Sequence, residues 1–298
     1  MASEIPDRRP EGAGRFSMDV GFTMSAKLRV GAVSYLNARP LFYRLEDRAP
    51  EVALSMDLPS RLAGRLASGD LDLALIPSVE YLRGAASGYE IIPGFAIAAR
   101  GPVRSVKLFS RVPLGRIDRL ALDEGSRTSR ALARVWLDAR HGVRPSTIET
   151  LPMGVSALES TADAVLVIGD RAMKVPDGPF YQVVDLAEAW VEMTGLPFVF
   201  ALWVVRPGVD LGDLPDALAD CRADGLAHAD ELASTFGPQL GLDHETCLEY
   251  LTRVLSYDLG ETEVAGLRRF AGMAADLSLA PEGVDLVFHR RRDLATRR

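Results

Sequence analysis

Short apolar runs alternate with segments of helical periodicity along most of this chain. Leu28–Val33 is apolar, positions 41–46 begin a helical pattern, 52–55 reads as a strand, 61–67 as a helix and 73–76 as another apolar run. Such alternation predicts a parallel sheet with crossover helices. A strand pair over 94–100 and 103–111 follows, with Gly101-Pro102 as its turn. A second round then starts, with strands at 120–122, Thr147–Leu151 and Ala164–Ile168 and helices at 126–140 and 155–160. The two rounds echo each other: SGDLDLALIPS in the first resembles ESTADAVLVIGD in the second, each an acidic, small-residue lead into a buried strand that ends in a polar turn. Two similar α/β lobes are expected.

The pattern changes after the second round. Phe198–Val205 is one continuous apolar run, and 214–236, 244–257 and 261–273 carry apolar residues at three- and four-residue spacings, as helices do. A first lobe that resumes after a complete second lobe needs two chain crossings, placed near 107–111 and 200–205. The expected organisation is a disordered tail over 1–26, a discontinuous first lobe over 27–108 and 203–288, a second lobe over 109–202, and a solvated tail over 289–298. The ligand cleft is expected between the lobes.

Composition narrows the function. Of 298 residues 48% are hydrophobic and 25% charged, the balance of a soluble globular protein. Thirty-four Lys and Arg against 41 Asp and Glu give a net charge of −7, which argues against a nucleic-acid partner. No stretch approaches the roughly 18 apolar residues of a membrane helix. Residues 1–26 lack the apolar core of about 7–15 residues that a signal peptide carries, so a cytoplasmic protein without membrane association is expected. Cys221 and Cys247 have no ligand spacing and read as buried thiols. The four histidines (His141, His228, His244, His289) are scattered away from the polar segments described next, which argues against a histidine base and a His-rich metal site. No dinucleotide fingerprint, phosphate loop, nucleophile elbow or HExxH is present. Neither cofactor nor metal is expected.

Candidate chemistry lies where strands hand over to helices, because open α/β sheets bind ligands outside the carboxyl ends of their strands. Ser34, Tyr35 and Asn37 join the first strand to its helix. Asn37 reads equally as a helix N-cap and as a group facing an anion at the helix start. Ser126, Arg127, Thr128 and Ser129 occupy the same place in the second lobe, with the same two readings. Ser78 and the pair Gly169-Asp170 end the buried strands of the two rounds; Ser78 leans towards a cap, and Asp170 is a cap for 171–174. Ser105 lies beside the first crossing, while Thr194 and Gly195 precede the second and offer a hydroxyl and an N–H. Trp190 and Phe198 read as core.

The run Val33-Ser34-Tyr35-Leu36-Asn37 followed by Pro40-Leu41 resembles the signature of the menaquinone-biosynthesis chorismate dehydratases of the futalosine route. Further segments agree: DLALIPSVEY from Asp72, GPVRSV from Gly101, SRTS from Ser126, IGD from Ile168, TGLPFVF from Thr194 and YDLG from Tyr257. The resemblance runs in unbroken order over about 27–273. It implies the two-lobed fold of type 2 periplasmic binding proteins and a carbon–oxygen hydro-lyase that removes water from chorismate to give 3-[(1-carboxyvinyl)oxy]benzoate. It also implies that Asn37 and Ser105 carry catalysis. Ser34, Tyr35, Ser78, Ser126, Arg127, Thr128, Ser129, Gly169, Asp170, Thr194 and Gly195 then contact the substrate. Two other functions share this fold: a non-catalytic binding protein for a small carboxylate, and the dihydroxynaphthoate synthase of the same pathway. The SYLN and SRTS segments favour the dehydratase.

Overall fold

In the computed structural model, which describes residues 27–290, two five-stranded sheets form. The first is laid down by β1 (Leu28–Val33), β2 (Val52–Asp57), β3 (Leu73–Pro77) and β4 (Glu90–Ala99), with helices α1 (Leu45–Arg48), α2 (Pro59–Ser68) and α3 (Ser78–Gly84) between them. The chain then crosses to build β5 (Val106–Ser110), β6 (Arg119–Asp123), α4 (Arg127–His141), β7 (Thr147–Leu151), β8 (Ala164–Ile168), β9 (Gln182–Asp185) and α5 (Leu186–Thr194). It returns as β10 (Phe198–Val205) and ends in α6 (Leu214–Ala227), α7 (Ala229–Leu240), α8 (His244–Glu249) and α9 (Glu261–Asp276).

The strand orders are β2-β1-β3-β10-β4 and β7-β6-β8-β5-β9. In each, three parallel strands are followed by one strand antiparallel to its neighbours: β10 against β3 and β4, and β5 against β8 and β9. The two lobes therefore share one topology, and each is completed by a strand that borders a crossing. The echoed segments become β3 and β8, which hold the same central place and are buried at every residue. Strands covered on both faces need continuous apolar runs, which is what these segments supply.

Several expectations change. The strand pair over 94–100 and 103–111 is no hairpin: β4 and β5 belong to different sheets, and the segment holding Gly101-Pro102 spans the gap. The sheet changes thus fall between Ala99 and Val106 and between Asp185 and Phe198, upstream of the crossings placed at 107–111 and 200–205. The helix expected at 155–160 is a series of turns, since six residues after Gly154 in the left-handed region are too few to sustain a helix alone. The segment 214–236 is split at His228, and 244–257 ends in a π-helical turn, Tyr250–Val254. The tail expected over 1–26 lies outside the described residues, as does 291–298. His289, the first residue of the other expected tail, is not free: its N–H donates to Ile91 O at 2.8 Å and its ring contacts Glu90 at 2.7 Å.

Two glycines fix the elements around the seam. A Cβ on Gly225 would sit 2.5 Å from Pro40 Cα, so α6 presses backbone to backbone on the 3-10 turn Leu36–Phe42. A Cβ on Gly266 would sit 2.1 Å from Pro197 O, so α9 packs directly on the second crossing. Beside it Trp190, Phe198 and Phe270 meet edge to face, with centroids 5.0–6.1 Å apart. Trp190 and Phe198 are core, as expected, and Trp190 Nε1 donates to Pro197 O at 3.3 Å.

Candidate active site

A cleft lies between the sheets, lined by residues of both. The chain reaches it at the carboxyl ends of parallel strands: Val33 ends β1, Pro77 ends β3, Ser126 follows β6, Ile168 ends β8 and Gly169 follows it. Tyr35, Asn37, Ser105, Ser126, Ser129 and Gly169 are the predicted residues that the fold brings together on its wall. The rest of that wall is apolar, with Ile97, Val103, Phe200 and Leu255 among its members, and among the described residues no charged side chain lines it.

Asn37 sits in the 3-10 turn, whose N-cap is Tyr35 and has no side-chain cap bond. The capping reading of Asn37 therefore falls. Its Oδ1 is buried and has no hydrogen-bond partner, so a polar group on the cleft wall is left to be satisfied by whatever the cleft binds. The Tyr35 hydroxyl is likewise buried and unpartnered. Burial, and then the Asp123 carboxylate, push this phenol up to about 12, so it stays a neutral O–H.

Ser105 is held from three sides. Its N–H donates to Val103 O and its carbonyl accepts from Gly169 N, both at 2.7 Å. The Tyr250 hydroxyl donates to Ser105 Oγ at 2.8 Å, leaving the serine hydrogen free for the cleft. Sequence reasoning gave Tyr250 no site role, because 145 residues separate it from Ser105. The π-helical turn after α8 puts it there, fully buried. Burial drives its phenol well above the ordinary tyrosine range, against the opposing pull of its Ser105 and Asn37 contacts. The preceding residue, Arg104, has a left-handed backbone (φ 62°). Its guanidinium binds Glu249 through two bonds of 2.6 and 2.9 Å, and its N–H donates to Asp185 at 2.5 Å. Strain of this kind costs of the order of 1–3 kcal/mol, and here these carboxylates hold it while Ser105 is aimed inward.

Ser126 combines both of its readings. It caps α4, accepting from Ser129 N at 3.2 Å, and its hydroxyl donates to Ser129 Oγ at 2.9 Å on the cleft wall. The positive end of this 15-residue helix therefore faces the cleft. Behind it buried Asp123 accepts from Gly125 N and Ile168 N and pairs with Arg171, fastening the ends of β6 and β8 together. Nothing in the local pattern of β6 announced Asp123.

The other predicted residues lie elsewhere. Ser78 and Thr128 are fully buried in the seam: Ser78 Oγ donates to Val199 O at 2.7 Å and stands 3.4 Å from Thr128 Oγ1, which accepts from Val79 N at 3.2 Å. They join the lobes and are absent from the cleft wall. Arg127 pairs with Glu80 at 2.6 Å, outside the cleft. Thr194 donates back to Trp190 O at 2.8 Å, and Gly195 ends α5 in the left-handed region, so this pair terminates a helix. Ser34 is outside the lining; its N–H donates to Asp57 O at 3.2 Å. Asp170 begins a 3-10 turn without capping it, and burial raises its carboxyl to about 6. Among the described residues no group of three or more His, Cys, Asp or Glu could hold a metal ion, and no helix is long and apolar enough to cross a membrane.

Comparison with known proteins places this geometry. A family model described as menaquinone biosynthesis matches residues 28–276. A chorismate dehydratase of Thermus thermophilus is 35% identical over 272 residues, covering 85% of this chain and 96% of that protein. A chorismate dehydratase of Campylobacter jejuni is 24% identical, covering 84% and 99%. Among solved structures, protein AF1704 of Archaeoglobus fulgidus superimposes with a TM-score of 0.67 at 18% identity, over 86% of this chain and 99% of that one. The aliphatic sulphonate binding protein SsuA of Escherichia coli, a periplasmic protein, gives 0.64 at 14% identity, over 91% and 94%. These two likenesses carry the fold alone.

Proposed function

We infer the function from one premise: this chain belongs to the menaquinone biosynthesis family, whose model spans nearly all of its two lobes. The reading supported best is elimination of water from chorismate to give 3-[(1-carboxyvinyl)oxy]benzoate, the activity named for relatives that align over most of the chain. The observation that carries it is the wall of the cleft. Asn37, Ser105, Ser126 and Ser129 are uncharged polar groups from both lobes, and among the described residues no carboxylate lines the cleft to repel a dianion.

The chemistry fits such a wall. The hydrogen on the ether-bearing ring carbon is vinylogously acidic, because its loss moves charge towards the ring carboxylate. When that electron pair forms the new ring double bond, the neighbouring C–O bond breaks, and the departing hydroxide takes up the proton first removed from the ring to leave as water. The ring is then aromatic, which makes the step strongly downhill. What remains for the protein is to hold one geometry and stabilise the growing charge with fixed donors, a task hydroxyls, an amide and helix N–H groups perform. Ser105, whose oxygen accepts from Tyr250, keeps its hydrogen to donate into the cleft. Among the described residues no lining side chain is a base, and the substrate's own enolpyruvyl carboxylate takes the proton. Positioning supplies up to roughly 7–11 kcal/mol in intramolecular reactions of this type. Two free, buried thiols, Cys221 and Cys247, accord with a reducing, cytoplasmic setting.

The test is direct. Purified protein mixed with chorismate should yield a product lighter by one water, resolved by chromatography and mass spectrometry as the meta-substituted benzoate. Chorismate bound but recovered unchanged would assign the cleft to a carboxylate-binding protein instead.

A further inference from the structure

A second concavity has a different character. Four arginines line a hollow beside the seam: Arg83 from α3 in the first lobe, and Arg127, Arg130 and Arg134 from α4 in the second. The three on α4 follow at i, i+3 and i+7 and so form one stripe. The hollow shares no lining residue with the cleft. We propose that it is a binding site for a small polyanion, a molecule with two or more clustered phosphate or carboxylate groups, held by guanidinium groups from both lobes.

Charge accounting supports this. The acidic side chain that meets these arginines is Glu80, which accepts from Arg83 at 2.7 Å and from Arg127 at 2.6 Å across the seam. One carboxylate thus answers two guanidinium groups. The side chains of Arg130 and Arg134 have no ion pair or hydrogen bond among the described residues, although both residues are half-buried. Burial and their cationic neighbours both work against their charge: Arg127, Arg134 and Arg83 act on Arg130, and Arg83 acts on Arg134. Asp123 draws on Arg130 from within, but its oxygens are taken by Arg171 and two backbone N–H groups. Asp276 and Arg144 line the adjoining hollow with Arg134, and Arg144 is paired with Asp138.

Like charges gathered in one half-buried place repel, and in a chain of net charge −7 this gathering does not follow from composition. Planar guanidinium groups grip phosphate and carboxylate oxygens bidentately, and two of the four are free to do so. Leu122, Ile148 and Leu279 give the hollow an apolar wall for the carbon skeleton of such a ligand. Because Arg83 and the α4 arginines belong to different lobes, the ligand ties the lobes together.

Isothermal titration calorimetry of the full chain with inorganic pyrophosphate, and in parallel with citrate, tests this without reference to turnover. We expect saturable one-to-one binding of at least one of the two, and which binds tighter separates phosphate from carboxylate recognition. Arg130→Gln with Arg134→Gln should weaken it at least tenfold. Glu80→Gln, which frees Arg83 and Arg127, should tighten it several-fold. Arg61→Gln with Arg116→Gln makes the same change in net charge at exposed positions outside the hollow and should leave binding within twofold. The proposal is overturned if neither anion binds, or if the Arg130/Arg134 and Arg61/Arg116 pairs weaken binding equally, which would mark diffuse attraction. Circular dichroism of each variant separates loss of the site from loss of the fold, and a chain inactive on chorismate would leave these titrations unaffected.

Discussion

Ser105 and Tyr250 should behave as a donor and its holder, and a double-mutant cycle reads that relation. In Ser105→Ala the hydroxyl aimed at the cleft is gone, and loss of one preorganised donor of this kind costs about 100- to 1000-fold in kcat. Tyr250→Phe leaves that donor in place and removes the bond that orients it, at 2.8 Å in the buried interior, along with the phenol's contact to Asn37. A neutral hydrogen bond contributes a net of about 0.5–1.5 kcal/mol, which converts to roughly a 2- to 13-fold loss. Because Tyr250 acts through Ser105, the double variant should be about as slow as Ser105→Ala alone. The assay is steady-state formation of the benzoate product by chromatography, with circular dichroism to confirm the fold. Full additivity in the double variant, or a Tyr250→Phe loss as large as that of Ser105→Ala, would refute this division of roles and make the phenol a group that touches substrate itself.

Other predictions follow from single observations. Asn37→Ala removes a buried amide whose Oδ1 has no internal partner, so kcat should fall about 100-fold or more while the urea midpoint barely moves. A chorismate analogue amidated at the enolpyruvyl carboxylate should bind in the cleft without turning over; turnover at the normal rate would show that the base lies in the protein. Asp170 titrates near 6 in the folded protein against an ordinary value of 3.8, so the native state holds its proton more tightly than the unfolded chain. That contribution is complete below about pH 4 and is lost as pH rises through 6. Asp170→Asn should therefore match the parent at pH 4 and be more stable above pH 6, by up to roughly 2–3 kcal/mol in chemical denaturation. Gly225→Ala places a methyl against the Pro40 backbone and should cost about 1–3 kcal/mol, with turnover reduced because the turn carrying Asn37 is displaced.

What the sequence disclosed follows the range of the interactions involved. The buried strands β3 and β8, their echo and the capped start of α4 are local patterns, and the fold realises them where they were expected. Gly101-Pro102 misled because a hairpin turn and a crossing between sheets break an apolar run in the same way; only the partners of β4 and β5, set by the whole chain, distinguish them. Ser78 and Thr128 have the composition of ligand groups but spend their hydroxyls inside the seam, Ser78 on Val199 O of its own lobe's sheet and Thr128 on Val79 N of the first lobe, and spacing gives no sign of a seam. The Ser105–Tyr250 bond needs a π-turn far down the chain. Asn37 shows the converse case: its sequence context allowed a helix cap, and only its place on the cleft wall with an unpartnered Oδ1 assigns it to the cleft.

The claim on which the rest depends is that elimination takes place between the two sheets, and a crystal structure of the complex with the benzoate product addresses it most directly. The ring should lie in the cleft, with one of its carboxylates within hydrogen-bonding distance of Asn37 and the Ser105 hydroxyl and the other near the start of α4. Product seated in any other concavity, with the cleft between the lobes left to solvent, would contradict it.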